Sequence, residues 1–226
     1  MDILIFVPQG AEYKAVCNGL KRVNKTVPQV ISIPVGSKAL TNYLQQWYKS
    51  VNLLKYSQPY ALVMGLCGSL KPDYNVGDIV LYETCIYQNQ VQQCDNDFTN
   101  QLESYLKQKV SRVKALTSNS IVFSKDEKIL LGLGGASVVD MEGFSALDFL
   151  NSVGFKVGML RVVSDGCEHD LPNLNSAISP EGRLLPLPLA WGMLRQPIAA
   201  SRLIYGSLRG LKVLEDITSD LAFQIS

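Results

Sequence analysis

A single histidine, His169, stands among the 226 residues of this chain. That scarcity excludes metal sites built on two or more histidines, and a Ser-His-Asp triad would have to use this one side chain. Charge is sparse too: Asp, Glu, Lys and Arg make up 18% of the chain, below the usual ~25%. Several elements are therefore expected to be buried on both faces or to pack in an oligomer. The net charge of +1 gives no global pull toward nucleic acid. The longest uncharged run, residues 56–70, is interrupted by Pro59 and Gly65 and falls short of the roughly 20 apolar residues a spanning helix needs. The five cysteines (Cys17, Cys67, Cys85, Cys94, Cys167) contain no C-x-x-C pair. An odd number at irregular spacing reads most simply as free thiols in a reducing compartment. Met1-Asp2 lacks the basic start of a signal peptide, and the apolar run after it is too short for one, so a cytoplasmic location is expected.

Apolar residues account for 47% of the chain, and the length suits one core, so a single domain over residues 1–226 is expected. Residues 3–7 form a short apolar run that reads as a buried strand, followed by a helix over Ala11–Leu20. A second strand over 30–35 ends at Gly36, and Ser37 is placed to cap a helix over 38–48. Residues 61–64 read as a third strand running into Gly65-Leu66-Cys67-Gly68-Ser69. Separate strands are expected over 79–82 and 85–87, an amphipathic helix over 98–108, and strands over 113–117, 137–140 and 157–163, with a helix over 143–151 between the last two. Such alternation argues a layered α/β fold around a largely parallel sheet. Residues 172–188 read as a loop long enough to be a lid or a binding loop.

Polar clusters fall at the ends of these apolar strands, where layered α/β sheets place ligands. They are Gln9–Glu12, Gly65–Ser69, Ser164-Asp165 and, at a strand-to-helix junction, Asp140-Met141-Glu142. Convergence of Glu12, Glu142 and Asp165 in one cleft would supply carboxylates for acid–base work without histidine. Each also has a plain structural reading: Glu12 and Glu142 as solvated first-turn helix acids, Asp165 as an Asx-turn residue and Asp78 as a turn residue or cap. His169 lies in a polar loop and reads as surface or rim, and Cys67 as a small packed residue.

Four blocks in order along the chain resemble the nucleoside phosphorylase superfamily of purine nucleoside phosphorylases and methylthioadenosine/S-adenosylhomocysteine nucleosidases. They are Gly65-Leu66-Cys67-Gly68-Ser69-Leu70-Lys71-Pro72, Val76-Gly77-Asp78-Ile79-Val80, Val139-Asp140-Met141-Glu142-Gly143 and Arg161-Val162-Val163-Ser164-Asp165. The resemblance implies a three-layer α/β/α fold with a central mixed sheet and a C-terminal helical extension. It implies that Glu142 accepts hydrogen bonds from the ribose hydroxyls while Met141 packs on the sugar. Asp165 would protonate purine N7, oriented by Ser164, and Glu12 would activate the attacking water. Cys67, Gly68, Ile121 and Val122 would line the base and sugar pocket. No metal or cofactor is implied, phosphate would be the co-substrate of a phosphorylase, and a dimer or larger assembly is implied.

The sequence also departs from the family. The hexameric bacterial phosphorylases hold phosphate with arginines and a serine in the loop after the third strand, where this chain has Val63 and Leu66. A buried dianion without a cation is costly, which tilts the reading toward hydrolysis and adenine release from an adenosine-type nucleoside. Asn119 stands where many relatives have Asp. The tail, from Ser179-Pro180-Glu181-Gly182-Arg183 to Pro197, resembles the hopanoid-associated branch, which implies phosphorolysis of a lipid-linked nucleoside with Lys14 or Arg161 as phosphate partners. A nucleoside-binding domain without catalysis is the further alternative. Residues 182–213 carry Arg183, Arg195, Arg202, Arg209 and Lys212 and no acid. With Arg195, Arg202 and Arg209 seven apart, residues 182–216 are expected to form a basic amphipathic extension that either packs on the domain or meets an anionic membrane.

Overall fold

The computed structural model describes residues 3–24, 26–51, 59–183 and 185–225. Met1-Asp2, the beginning of the uncharged run over 56–70 and Leu184 fall outside them. Its elements are β1 (Ile3–Pro8), α1 (Ala11–Leu20), β2 (Gln29–Ile33), α2 (Ser37–Ser50), β3 (Tyr60–Ser69), β4 (Ile79–Tyr87), β5 (Gln90–Gln93), α3 (Asn96–Tyr105), β6 (Val110–Thr117), α4 (Lys125–Leu133), β7 (Val138–Asp140), α5 (Gly143–Ser152), β8 (Lys156–Asp165), a 3-10 turn (Asn175–Ala177), α6 (Pro186–Arg195) and α7 (Pro197–Ile225).

Every residue of β1 is buried, as a continuous apolar run requires when helices cover both faces of a sheet. Alternate side chains then enter different layers. Leu4 and Phe6 join Leu40, Leu44, Phe144, Leu147 and Leu150 beneath α2 and α5. Ile3, Ile5 and Val7 join Val16, Leu20, Phe98, Leu102, Leu214 and Ile217 beneath α1, α3 and α7. This is the expected three-layer α/β arrangement.

The sheet runs β2-β1-β3-β7-β6-β4-β5, and β8 pairs with both β3 and β4. Strands β3, β8, β4, β6 and β7 therefore close on one another in a ring. The pairs β4–β8, β3–β7 and β4–β5 are antiparallel and the other five pairings parallel, so the sheet is mixed, as the resemblance implies. Three local expectations change. Strand β3 runs on through Ser69 because β8 and β7 supply partners there. The two short strands over 79–87 are one strand with an irregularity between Tyr82 and Thr84. Ser37 makes no capping hydrogen bond; its hydroxyl donates to the Met141 carbonyl at 3.1 Å instead.

The loop after β8 is pinned where it passes the ends of the other strands. Leu171 N–H donates to the Phe123 carbonyl, Val35 N–H to the Gly182 carbonyl, and Asn175 exchanges two hydrogen bonds with the Ile121 backbone. The tail is two helices broken at Gln196, so Arg195 lies at the end of α6, and Arg202 and Arg209 belong to α7.

Candidate active site

The site forms where β1, β3, β7 and β8 end. Strands β3 and β8 run side by side, Gly65 opposite Arg161, with a register shift just before Gly68 meets Asp165. Both glycines are close-approach positions. A Cβ on Gly65 would lie 2.2 Å from Arg161 Nη1 and 2.6 Å from Glu12 Oε1, and one on Gly68 would lie 2.7 Å from Asp165 Oδ2. The Gly65-to-Gly68 segment thus leaves room for charged groups that any side chain would displace.

Arg161 is fully buried below the cavity. Its Nη2 donates to Asp140 Oδ2 at 3.1 Å and its Nη1 to the Met64 carbonyl at 3.2 Å. Asp140 is further held by the Thr117 hydroxyl at 2.9 Å, the Gly143 N–H at 3.0 Å and the Tyr82 hydroxyl at 3.4 Å. Burial works against the Arg161 cation, but Asp140, Tyr82, Glu142 and Glu12 hold it above the usual arginine range. One guanidinium therefore faces three carboxyl groups.

That imbalance appears in the two glutamates. Glu12 enters from the first turn of α1, which follows Gly10 at φ 97°, a conformation suited to glycine. Its Oε1 accepts the Leu66 N–H at 2.6 Å. Burial pushes Glu12 up to about 7, against the opposing pull of Arg161 and the Leu66 amide. Glu142 follows β7, and its Oε1 accepts the Gly36 N–H at the start of α2, at 2.8 Å. Burial first, then the charge of Asp140, raises Glu142 well above the usual carboxylate range.

Asp165 closes the other side. The Ser164 hydroxyl lies 2.7 Å from Asp165 Oδ1 and 3.1 Å from the Cys67 carbonyl. The Asp165 Oδ2 forms an ion pair with Lys128, whose side chain has no exposed surface and whose ammonium also donates to the Gly166 carbonyl at 2.8 Å. Lys128 had no place in the sequence reading. Two signals point to its helix: Ser124 followed three residues later by Glu127, a capping pattern, and the apolar residues after it. The Ser124 side chain does cap α4.

Glu12, Cys67, Gly68, Ile121, Val122, Met141, Glu142, Ser164 and Asp165 line one cavity of about 260 Å³. The two phosphate candidates do not join them. Lys14 is exposed on α1, and Arg161 is occupied by Asp140 beneath the cavity. Among the described residues, no lysine or arginine lines this cavity. Asn119 pairs with the Tyr87 hydroxyl at 3.0 Å and borders an adjoining cavity of about 290 Å³. Cys67 is buried, and burial drives its thiol far above its usual range, as suits a small packed residue. His169 is exposed, and Asp78 accepts the Asn75 N–H within a turn.

The sequence pattern of the phosphorylase superfamily matches residues 51–179. The chain belongs to the phosphorylase superfamily. No curated protein matches it. Among solved structures, it resembles the futalosine hydrolase of Helicobacter pylori at TM-score 0.71 and 13% identity, covering 99% of this chain and 97% of that one. It resembles the 5′-methylthioadenosine/S-adenosyl homocysteine nucleosidase of the same organism at 0.67 and 14%, covering 99% and 98%. The Streptococcus pneumoniae MTA/SAH nucleosidase in complex with 8-aminoadenine follows at 0.59 and 17%, covering 97% and 99%. At these identities the likeness is one of fold, and it spans this superfamily member from end to end. Among the described residues no helix is long and apolar enough to cross a membrane.

Proposed function

We propose that the chain hydrolyses the N-glycosidic bond of an adenosine-type nucleoside and releases adenine. The observation that carries this reading is the meeting of Asp165, Glu142 and Glu12 around one cavity that, among the described residues, no lysine or arginine lines. A phosphate dianion there would meet Glu12, Glu142 and Asp165 with no described lysine or arginine in the lining, whereas water needs only a base.

In this reading Glu142 holds the two vicinal ribose hydroxyls, which suit the two oxygens of one carboxyl group, and Met141 packs on the sugar. Ile121 and Val122 take the base. Glu12, titrating near 7, is matched to take a proton from water near neutrality. As the C1′–N9 bond breaks, its electron pair moves onto the base and N7 becomes more basic. The Lys128–Asp165 pair supplies the N7 proton through Asp165. Water oxygen bonds to C1′ and its proton passes to Glu12. Exchange with solvent then restores a proton to the Lys128–Asp165 pair and removes one from Glu12.

The 5′ substituent would enter the adjoining cavity, which shares Val35, Ser120 and Met141 with the first and is bordered by Ser37, Asn119, Asn175 and Ser179. Dimerisation belongs to the same proposal, supported by the low charge content.

Incubation with adenosine, methylthioadenosine and S-adenosylhomocysteine, followed chromatographically, tests the reading. Free adenine from at least one of them, lost in Asp165→Asn, is the expected result. Tight nucleoside binding with no adenine would make the chain a nucleoside-binding domain.

A further inference from the structure

Helix α6 contains no buried residue, although most of its sequence is apolar. It rests on the loop through Gly192, where a Cβ would lie 2.7 Å from Leu174 Cδ2. The rest of its surface faces outward and continues into the first half of α7. Leu187, Trp191, Leu194, Ile198, Tyr205 and Leu208 are between 59% and 83% exposed. Isolated exposed apolar residues need no explanation, but this many on two successive helices mark a surface that meets something.

The charges on this face identify its partner. Arg195, Arg202 and Arg209 lie among the apolar residues and are exposed. No acidic residue occurs over 182–213; Glu168 and Asp170, in the loop after β8, line cavities together with Arg202. The Arg195 guanidinium lies 5.0 Å from the centre of the Trp191 ring, so the cation and the largest apolar side chain of α6 are presented together. A second copy docked through the same face would set these arginines against their own equivalents near a two-fold axis. A dry protein groove would strip water from them without supplying counter-charges.

We propose that the α6–α7 face docks on an anionic membrane surface. Leu187, Trp191, Leu194 and Ile198 enter the boundary between headgroups and acyl chains, and the arginines reach back to lipid phosphates. The attachment is peripheral, since neither helix can cross. Arg202 and Tyr205 also line a cavity of about 300 Å³ that reaches Ser164 and Asp165, so the docked face borders an approach to the site. The proposal does not depend on the reaction performed there.

Cosedimentation of the full chain with phosphatidylcholine vesicles, with and without about 30% phosphatidylglycerol, tests it. At low salt the anionic vesicles should bind at least about tenfold more protein, an excess that high salt abolishes. Arg195→Gln with Arg202→Gln should remove that excess. Leu187→Ser with Trp191→Ser and Leu194→Ser should lower binding to both vesicle types, and both variants should keep the wild-type circular dichroism because none of these side chains is buried. Absence of binding to anionic vesicles at low salt would overturn the proposal, as would binding that neither variant weakens. Sedimentation equilibrium supplies a further contrary outcome: a self-associated species that the Leu187/Trp191/Leu194 variant splits would assign the face to a second copy.

Discussion

The ammonium of Lys128, fully buried, is paired with the Asp165 carboxylate at the end of β8. Asp165 has some contact with solvent and Lys128 has none. Each partner therefore compensates the other's charge in a region with little water. Removing one partner should cost far more than removing both, because a lone buried charge has no counter-ion. Lys128→Met should destabilise the fold by about 3–5 kcal/mol in urea unfolding. The double variant with Asp165→Asn should recover most of that loss. Equal destabilisation in both variants would show that Lys128 stabilises by packing alone.

Asp165→Asn keeps the shape of the side chain but cannot pass a proton to N7. Turnover should fall by about 10²–10⁴-fold while nucleoside binding persists, the usual contribution of a positioned acid. Steady-state kinetics with calorimetric binding checks this, and near-normal turnover would remove Asp165 from the chemistry.

Glu142 should distinguish nucleoside from base. Glu142→Ala should weaken ribose-containing ligands by about tenfold, the scale of one or two neutral hydrogen bonds, and leave free adenine nearly unchanged. Titration calorimetry with both ligands decides. Equal weakening would mean that Glu142 acts through its hydrogen bond to Gly36 N–H and the packing around it.

In the proposed mechanism Glu12 links pH to both activity and stability. Its carboxyl titrates near 7 in the folded chain, against an ordinary value of 4.5. The folded state therefore binds more protons than the unfolded state between those values, and stability falls as pH rises through that window. Above about 7 the loss is complete, on the order of 3 kcal/mol for a shift of this size. Activity runs the opposite way, because the base must be ionised. It should rise through pH 7 on its acid limb. Glu12→Gln should remove that part of the stability slope in urea titrations and also abolish turnover; a variant that kept the wild-type pH profile would assign the titration to another group.

Much of this site is legible in the sequence, and the reasons are local. The apolar run of β1 identifies a strand covered on both faces. Spacing along the chain brings the Glu12, Glu142 and Asp165 segments to strand ends, and the close approaches at Gly65 and Gly68 explain why glycine stands at both. Lys128 was not legible. In sequence it is one more lysine in the charged first turn of a short helix, and only tertiary packing turns it inward. Gly132, one turn later, lets α4 approach until a Cβ would lie 2.4 Å from the Leu70 carbonyl. The same gap hid the closure of the sheet, since local alternation does not show β8 pairing with both β3 and β4. Arg161 was a phosphate candidate only through the tail's resemblance to the hopanoid-associated branch, and nothing in its local sequence marks it as half of a buried ion pair. Its partner, Asp140, lies twenty-one residues away in sequence.

The central claim is hydrolysis, and the decisive measurement follows the fate of the sugar in oxygen-labelled water with and without phosphate. With the nucleoside that proves to be cleaved, adenine and free sugar should appear in equal amounts. The anomeric hydroxyl should carry the label, and the rate should be indifferent to phosphate. Strict dependence on phosphate, with a ribose 1-phosphate species as product and no label in the sugar, would contradict the account.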